Sequence, residues 1–383
     1  MHRRVMPEFC ERIILRYNIL LHVSYAQPIG RRALAQSLGE SERHVRREEN
    51  ILRTAGLVVV GSDGIRLSKD GEDILWDLGE YVGLLVGTGR LEGLLQQEFG
   101  LRQAIVIAGD SDEDEAVKRE MARVGACVLR DAISDGDVVA VCGGTTMAEL
   151  AAHTVPAPGK RNVVVVPARG SLGEDVEKQA DTVAALLAKK LGGAYRILNL
   201  PDDLGCELAA SVAEEPRIRE VLDTIKQSRI VVHGVGTAVE MARRRNISPS
   251  EIDEIVGLGA VGEAFGFYFD RDGKVVYTTS SLGLRLTDLS AVNTVMCVGG
   301  GSSKGHALAA VLYNGFPHIV VTDEGAARAA LVAVGDPEQR CAGVTSNLVR
   351  HTHRKSSKKA EVNSAHRGGE KWQSKLESTV LEE

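Results

Sequence analysis

Residues 28–57 read PIGRRALAQSLGESERHVRREENILRTAGL, and the spacing within this stretch is that of a helix-turn-helix. Leu34 and Leu38 stand four apart on one helical face, and Gly39 is suited to ending that helix. Ser41 can cap a second helix, whose apolar side is supplied by Val45, Leu52 and, at its exit, Leu57. Burying that side turns Glu42, Arg43, His44, Arg46, Arg47 and Asn50 outward. Arg and Asn pair bidentately with base edges, so residues 41–54 are expected to enter a DNA major groove. The DNA contacts assigned on this basis are Arg31, Arg32, Ser41, Arg43, His44, Arg46, Arg47 and Asn50.

Working outward, Ile13 to His22 reads as an apolar-faced helix, and Leu57 to Leu67 as two short strands around a Ser-Asp-Gly turn. Together these predict a winged helix-turn-helix over residues 1–69. Residues 70–100 predict a helical linker of one or two helices, with apolar positions at Ile74, Leu75, Leu78, Leu84, Leu85, Leu91, Leu94 and Leu95. Gly79, Gly83, Gly87, Gly89 and Gly93 weaken any continuous coiled coil. The segment either pairs with its counterpart in a second subunit or packs on its own domain.

A chain of 383 residues exceeds one ordinary core and predicts a small and a large domain. With 44% hydrophobic and 26% charged residues it has the composition of a soluble globular protein, and no apolar run approaches the ~20 residues a membrane helix needs. Glu11 and Arg12 precede any apolar stretch, so no signal peptide is read and a cytoplasmic location is expected. The six cysteines (Cys10, Cys127, Cys142, Cys206, Cys297 and Cys341) form no close pair, which argues against a zinc site or a disulfide framework. Cys142 and Cys297 end apolar runs just before glycines and read as buried strand residues without chemistry. The net charge of −6 is uneven: residues 1–60 carry ten Arg and six Glu, or +4, leaving −10 for the rest. A basic head on an acidic body suits a DNA-binding domain attached to a sensor, although four excess charges alone describe an ordinary solvated surface equally well.

From Leu101 onward β-branched runs alternate with helical segments: 104–108, 137–141, 162–166, 195–200, 229–233, 294–298 and 318–322. Such runs indicate strands buried on both faces of a mainly parallel sheet, and hence a doubly wound, Rossmann-like α/β domain over residues 101–337. A further strand beginning at Lys274, after an Arg-Asp-Gly turn, reads as an antiparallel addition. Residues 338–383 lack apolar periodicity, carry a basic run over 350–359, and are expected to form a disordered tail.

In doubly wound sheets ligands bind beyond the carboxyl ends of the strands. Four strand ends carry unusual loads: Gly143-Gly-Thr-Thr146, Ala168-Arg-Gly-Ser171, Gly234-Val-Gly236 and Gly299-Gly-Gly-Ser-Ser-Lys304. Glycine admits an anion to the backbone amides, the following helix supplies its positive end, and Thr, Ser, Arg or Lys add donors. One such turn is often purely structural; four on one sheet edge point to phosphate. Gly234-Val-Gly-Thr-Ala-Val239 lacks the third glycine of a dinucleotide fingerprint, and Gly299 to Lys304 lacks Walker A spacing, so neither cofactor is expected. Glu263, in Ala260-Val-Gly-Glu-Ala-Phe-Gly266, can accept from sugar hydroxyls or stand as a surface acid.

From about Arg16 to Ala330 the chain resembles the SorC/DeoR-type bacterial transcriptional regulators. The resemblance rests on ordered segments that include Pro28-Ile-Gly-Arg-Arg32, Gly109-Asp-Ser-Asp112, Gly143-Gly-Thr-Thr146, Val166-Pro-Ala-Arg-Gly170, Leu172-Gly-Glu-Asp175, Arg244-Arg-Asn246, Glu263-Ala-Phe-Gly266, Gly300-Gly-Ser-Ser-Lys304 and Val321-Thr-Asp-Glu-Gly-Ala326. It implies a sensor related in fold to sugar-phosphate isomerases and deaminases, bound by fructose-1,6-bisphosphate, which relieves repression of genes for lower glycolysis. The implied effector site is Thr145, Thr146, Arg169, Arg244, Glu263 and Lys304, with Ser302 and Ser303 as amide or hydroxyl donors. The partners then expected are double-stranded operator DNA, a phosphorylated sugar and a second copy of the chain, as a homodimer or homotetramer, with no cofactor, metal or membrane.

The competing reading is a sugar-phosphate isomerase or deaminase with an appended DNA-binding domain, because such folds host catalysts. It requires a base near the sugar. Glu263, Asp110, His233, Lys304 and His306 are the candidates, and His233 stands where a core histidine is more usual. A third reading, a DNA-binding protein with no ligand, leaves the four turns unexplained.

Overall fold

The computed structural model describes residues 6–155, 162–172, 175–202 and 204–335, apart from the side chains of Trp76, Glu80, Leu84, Val86 and Cys206. The expected tail over 338–383 lies outside the described residues. Three helices open the described residues, α1 (Pro7–Ala26), α2 (Arg31–Ser37) and α3 (Glu42–Thr54), followed by an antiparallel hairpin of β1 (Val58–Gly61) and β2 (Gly64–Leu67). The first helix runs past the expected Ile13–His22 at both ends, starting on Pro7, whose fixed φ suits the first helical turn. Leu34, Val45, Leu52 and Ile65 join Ile19 and Leu20 in one core, with Leu38 and Leu57 packed against it. Ser41 caps α3, its hydroxyl accepting from the His44 amide at 3.2 Å. This is the winged helix-turn-helix that the spacing predicts.

The helical linker resolves into α4 (Lys69–Val86) and α5 (Thr88–Phe99), divided at Gly87, whose φ of +91° is left-handed. Leu75 and Val82 of α4 are buried in the core around α1, while Leu91, Leu95 and Phe99 of α5 are buried beside the first strand of the sheet. Within one chain the segment packs on both sides of Gly87, and Ile74, Tyr81 and Leu94 stay exposed. At Gly71 the fit between α4 and the preceding loop is so close that a Cβ would stand 2.0 Å from the Leu57 carbonyl oxygen.

Seven strands form one sheet: β3 (Gln103–Ile107), β4 (Val138–Val141), β5 (Val164–Pro167), β6 (Ala194–Tyr195), β7 (Ile230–His233), β12 (Thr294–Val298) and β13 (Ile319–Asp323). Their order is β3-β13-β12-β7-β4-β5-β6 and every pairing is parallel. Val139, Val141, Ile230, Val232, Met296 and Val298 face a core shared with α6 (Glu115–Ala132) and α7 (Thr145–His153). The alternating residues Ala140, Val231, Val295 and Cys297 are equally buried on the opposite face. Both faces are covered, as the uninterrupted β-branched runs require. After β4 the chain builds outward through β5 and β6; it then returns to the other side of β4 with β7 and builds toward β12 and β13. The order therefore reverses between β4 and β7, the crevice where such sheets bind ligands.

Two expectations are corrected. Of the run 195–200 only Tyr195 lies in a strand, the short edge strand β6, because the Leu198 and Asn199 amides turn away to the Asp181 carboxylate at 2.9 and 3.0 Å. The strand after Lys274, β11 (Val275–Thr278), is antiparallel but does not extend the large sheet. With β8 (Gly236–Thr237), β9 (Gly262–Ala264) and β10 (Phe267–Phe269) it makes a separate sheet in the order β11-β10-β9-β8, which sets Glu263 opposite Gly236.

The winged head touches the body through α1 and α6. His22 Nε2 lies 3.1 Å from the carboxylate of Asp114, which caps α6, and Tyr25 donates to Glu120 at 2.8 Å.

Candidate functional site

On the head, Arg43, Arg46, Arg47 and Asn50 are exposed along α3, while Val45 and Leu52 face the core. Arg32 is also exposed, 3.8 Å from Glu42. His44 is half-buried with Nδ1 2.9 Å from Glu40, and Ser41 serves the cap. Arg31 is the exception among the residues assigned to DNA. Its guanidinium is committed to the buried Glu49, with Nη2 donating to Oε1 at 3.2 Å, because a buried carboxylate needs a counter-charge. Arg16 does the same for buried Glu48 at 2.7 Å. These two pairs brace α3 against its neighbours and leave its outer face to arginine and asparagine.

On the body, the turns after β4, β5 and β7 converge on one cavity, joined by Lys304 from the turn after β12. Six of the eight assigned effector residues line it: Thr145, Thr146, Arg169, Arg244, Glu263 and Lys304. Thr145 and Thr146 open α7 directly after Gly144, so the positive helix end faces the cavity. The Gly144 amide itself is used by the Lys178 carbonyl at 2.7 Å. Lys304 forms no ion pair among the described residues.

Ser302 and Ser303 are not brought to the cavity. Their amides donate to Asp110 at 3.1 Å and to Asp112 at 2.8 Å, carboxylates from the loop after β3. That use takes up the amides expected to serve an effector.

The floor of the cavity holds a buried ionic network absent from the sequence reading. Arg169 Nε donates to Asp202 Oδ1 at 3.0 Å and its Nη2 to Thr279 at 3.1 Å. Arg245 Nε donates to Asp202 Oδ2 at 3.1 Å and its Nη2 to Glu263 Oε1 at 3.0 Å. Burial works against the Arg245 charge, but Glu263 and Asp202 outweigh it and raise its pKa. Glu263 also accepts from the Gly266 amide, so it is a structured acceptor and not a surface acid. Gly266 itself must be glycine: at φ +74° a Cβ would collide with the Arg169 guanidinium. Asp202, Arg245, Lys178 and Gln179 are among the lining residues that sequence reasoning did not assign to the site. Arg245 adjoined a residue already singled out, whereas Asp202 lies in coil with no motif around it.

Of the candidate bases, Glu263 and Lys304 line the cavity, whereas His233, His306 and Asp110 are poorly placed for catalysis. His233 is fully buried against Phe265 and Phe316, and burial pushes its pKa down to about 4, leaving it neutral. Burial also raises the Cys142 thiol and pushes Cys297 up to about 12, so neither is a nucleophile. His306 is exposed outside the cavity, and Asp110 is engaged with Ser302. Among the described residues no His/Cys/Asp/Glu group fits a metal ion, and no helix is long and apolar enough to cross a membrane. The cavity can bind anions and accept hydrogen bonds from hydroxyls.

Comparison with known proteins agrees with both halves. Residues 85–332 match the family model described as "Putative sugar-binding domain", and residues 13–82 match that of the CggR N-terminal DNA binding domain. The chain is 39% identical to the central glycolytic genes regulator of Bacillus subtilis, covering 86% of this chain and 97% of that one. It is 40% identical to the protein of the same name from Priestia megaterium, over 85% and 96%. Among solved structures, one described as the "putative SorC family transcriptional regulator" of Enterococcus faecalis superposes with a TM-score of 0.60 at 39% identity, covering 63% of this chain and 99% of that one.

Proposed function

Because the chain belongs to the SorC-type family of DNA-binding transcriptional regulators that contains the central glycolytic genes regulators, we propose that it represses glycolytic genes and is released by fructose-1,6-bisphosphate. It is a regulator and not an enzyme, as are the relatives it matches over nearly their whole length. The observation carrying the effector assignment is the convergence of three strand-end turns and Lys304 on one cavity at the reversal of strand order. A sugar with a phosphate at each end needs two separated groups of donors. Thr145, Thr146 and Lys304 form one, and Arg169 with Arg244 forms the other, with Glu263 available to sugar hydroxyls. Operator DNA is read by α3 of a homodimer or homotetramer, in the cytoplasm where the chromosome lies. Fluorescence anisotropy of labelled operator, titrated with a panel of phosphorylated sugars, tests this reading. Fructose-1,6-bisphosphate should lower operator affinity at the lowest concentration, and phosphorus resonance should show it unchanged after incubation. Equal responses to every sugar, or turnover into a new species, would defeat the assignment.

A further inference from the structure

The Asp202 carboxylate sits between two guanidiniums, 3.0 Å from Arg169 Nε and 3.1 Å from Arg245 Nε. All three side chains are less than a tenth exposed. Two oxygens shared between two arginines is the arrangement that a phosphoryl group adopts. Two further donors at the same place are unsatisfied: Arg245 Nη1 and Ser171 Oγ are buried without a hydrogen-bond partner, and both residues line the cavity. Buried orphan donors are rare in native proteins and call for an oxyanion or an equivalent acceptor. The local charge is already balanced, with Arg169 and Arg245 against Asp202 and Glu263. An anion arriving between Arg169 and Arg245 would have to take the place that the Asp202 carboxylate already fills.

We propose that the space between Arg169 and Arg245 is an oxyanion subsite whose built-in occupant is Asp202, and that displacing this carboxylate restricts the site to ligands bearing two anionic groups. The inference rests on the reading of the cavity as a phosphorylated-sugar site and names what makes that site selective. A monophosphorylated ligand seated at Thr145, Thr146 and Lys304 leaves Asp202 in place. A ligand held there by one phosphate presents its second one to the subsite at high effective concentration and competes with the carboxylate.

The test uses the full chain and the variants Asp202→Asn and Asp202→Glu, titrated calorimetrically with inorganic phosphate, fructose 6-phosphate and fructose-1,6-bisphosphate. Asp202→Asn removes the competing charge, so it should bind inorganic phosphate at least about tenfold more tightly than the native chain, and the bisphosphate-to-monophosphate affinity ratio should shrink. Asp202→Glu keeps the charge and should keep the ratio. If Asp202→Asn does not fold in plain buffer, added phosphate should restore cooperative unfolding by standing in for the carboxylate. Unchanged or weaker phosphate binding by a folded Asp202→Asn protein, failure of phosphate to restore an unfolded one, or equal loss of selectivity in Asp202→Glu would overturn the proposal. A native chain that binds no bisphosphate would instead remove the proposed effector, and the phosphate comparison would still decide this inference.

Discussion

Lys304 and Arg169 both line the cavity as cations, yet the structure gives them different consequences on removal. Lys304 ends a short turn (Ser302–Lys304), is half-buried, and makes no ion pair among the described residues. Lys304→Met keeps most of the stem, so its stability should stay within about 0.5 kcal/mol of the native chain. Its cost should fall on the effector: a hydrogen bond to a charged group contributes about 1.5–3 kcal/mol, which is about 10- to 150-fold in affinity. Arg169→Met strips one of two guanidiniums from a buried carboxylate. Breaking a buried pair costs about 3–5 kcal/mol, and the lower figure applies because Arg245 and Ser281 still serve Asp202. At roughly 2–4 °C per kcal/mol, Tm should fall by about 6–12 °C. Calorimetric titration with fructose-1,6-bisphosphate, thermal unfolding, and operator anisotropy with and without the sugar measure the three quantities. Both variants should bind operator and should need correspondingly more sugar than the native chain to release it. A Lys304→Met protein that still responds normally, or that loses as much Tm as Arg169→Met, would refute the reasoning.

Arg46→Ala and Arg47→Ala should each weaken operator binding, by about 1–3 kcal/mol where the lost contact is bidentate, and leave sugar titrations unchanged; gel shifts at raised salt check this. Arg31→Ala should also lower Tm, because it leaves the 1% exposed Glu49 carboxylate uncompensated, and a Tm equal to that of Arg46→Ala would count against the bracing role. Gly71→Ala places a methyl against the Leu57 carbonyl and should destabilise the head by about 1–3 kcal/mol, visible as earlier loss of operator binding on heating. Burial alone would raise the pKa values of Asp110 and Asp114, but hydrogen bonds from Ser302 and from His22 respectively, with nearby amides, outweigh it and hold both below the ordinary carboxylate value. Groups depressed in the folded state contribute stability that is complete above about pH 4 and fades as the pH falls through their folded values. Asp114→Asn should therefore flatten the acid limb of a Tm-against-pH curve, and an unchanged limb would refute this.

The large sheet was legible because its strands are covered on both faces, so Val138 to Val141 or Thr294 to Val298 announce themselves without context. The small sheet was hidden by its three-residue strands: Gly262-Glu-Ala and Phe267-Tyr-Phe are too short to show a period. The anion-binding turns could be read because glycine followed by Thr, Arg or Lys has a local meaning. Ser302 and Ser303 show the limit of that logic, since the carboxylates that take their amides lie about 190 residues away. Asp202 shows the same limit from the other side. Nothing near it in the chain marks it, and its importance comes from Arg169 and Arg245, brought in from two other loops.

The placement of β13 has a consequence for biosynthesis. This strand lies between β3 and β12, with Ile319 opposite Gln103, so the first strand of the sheet waits for the last one before it has a neighbour. At ribosomal speeds of 5–20 residues per second, roughly 10–40 s separate their synthesis. The core of the winged head needs nothing beyond Ala116 and is complete long before then. Each nascent chain thus spends an interval with a finished DNA-binding module tethered to an unfinished sugar-binding domain, and a product truncated ahead of residue 319 would carry the first without the second.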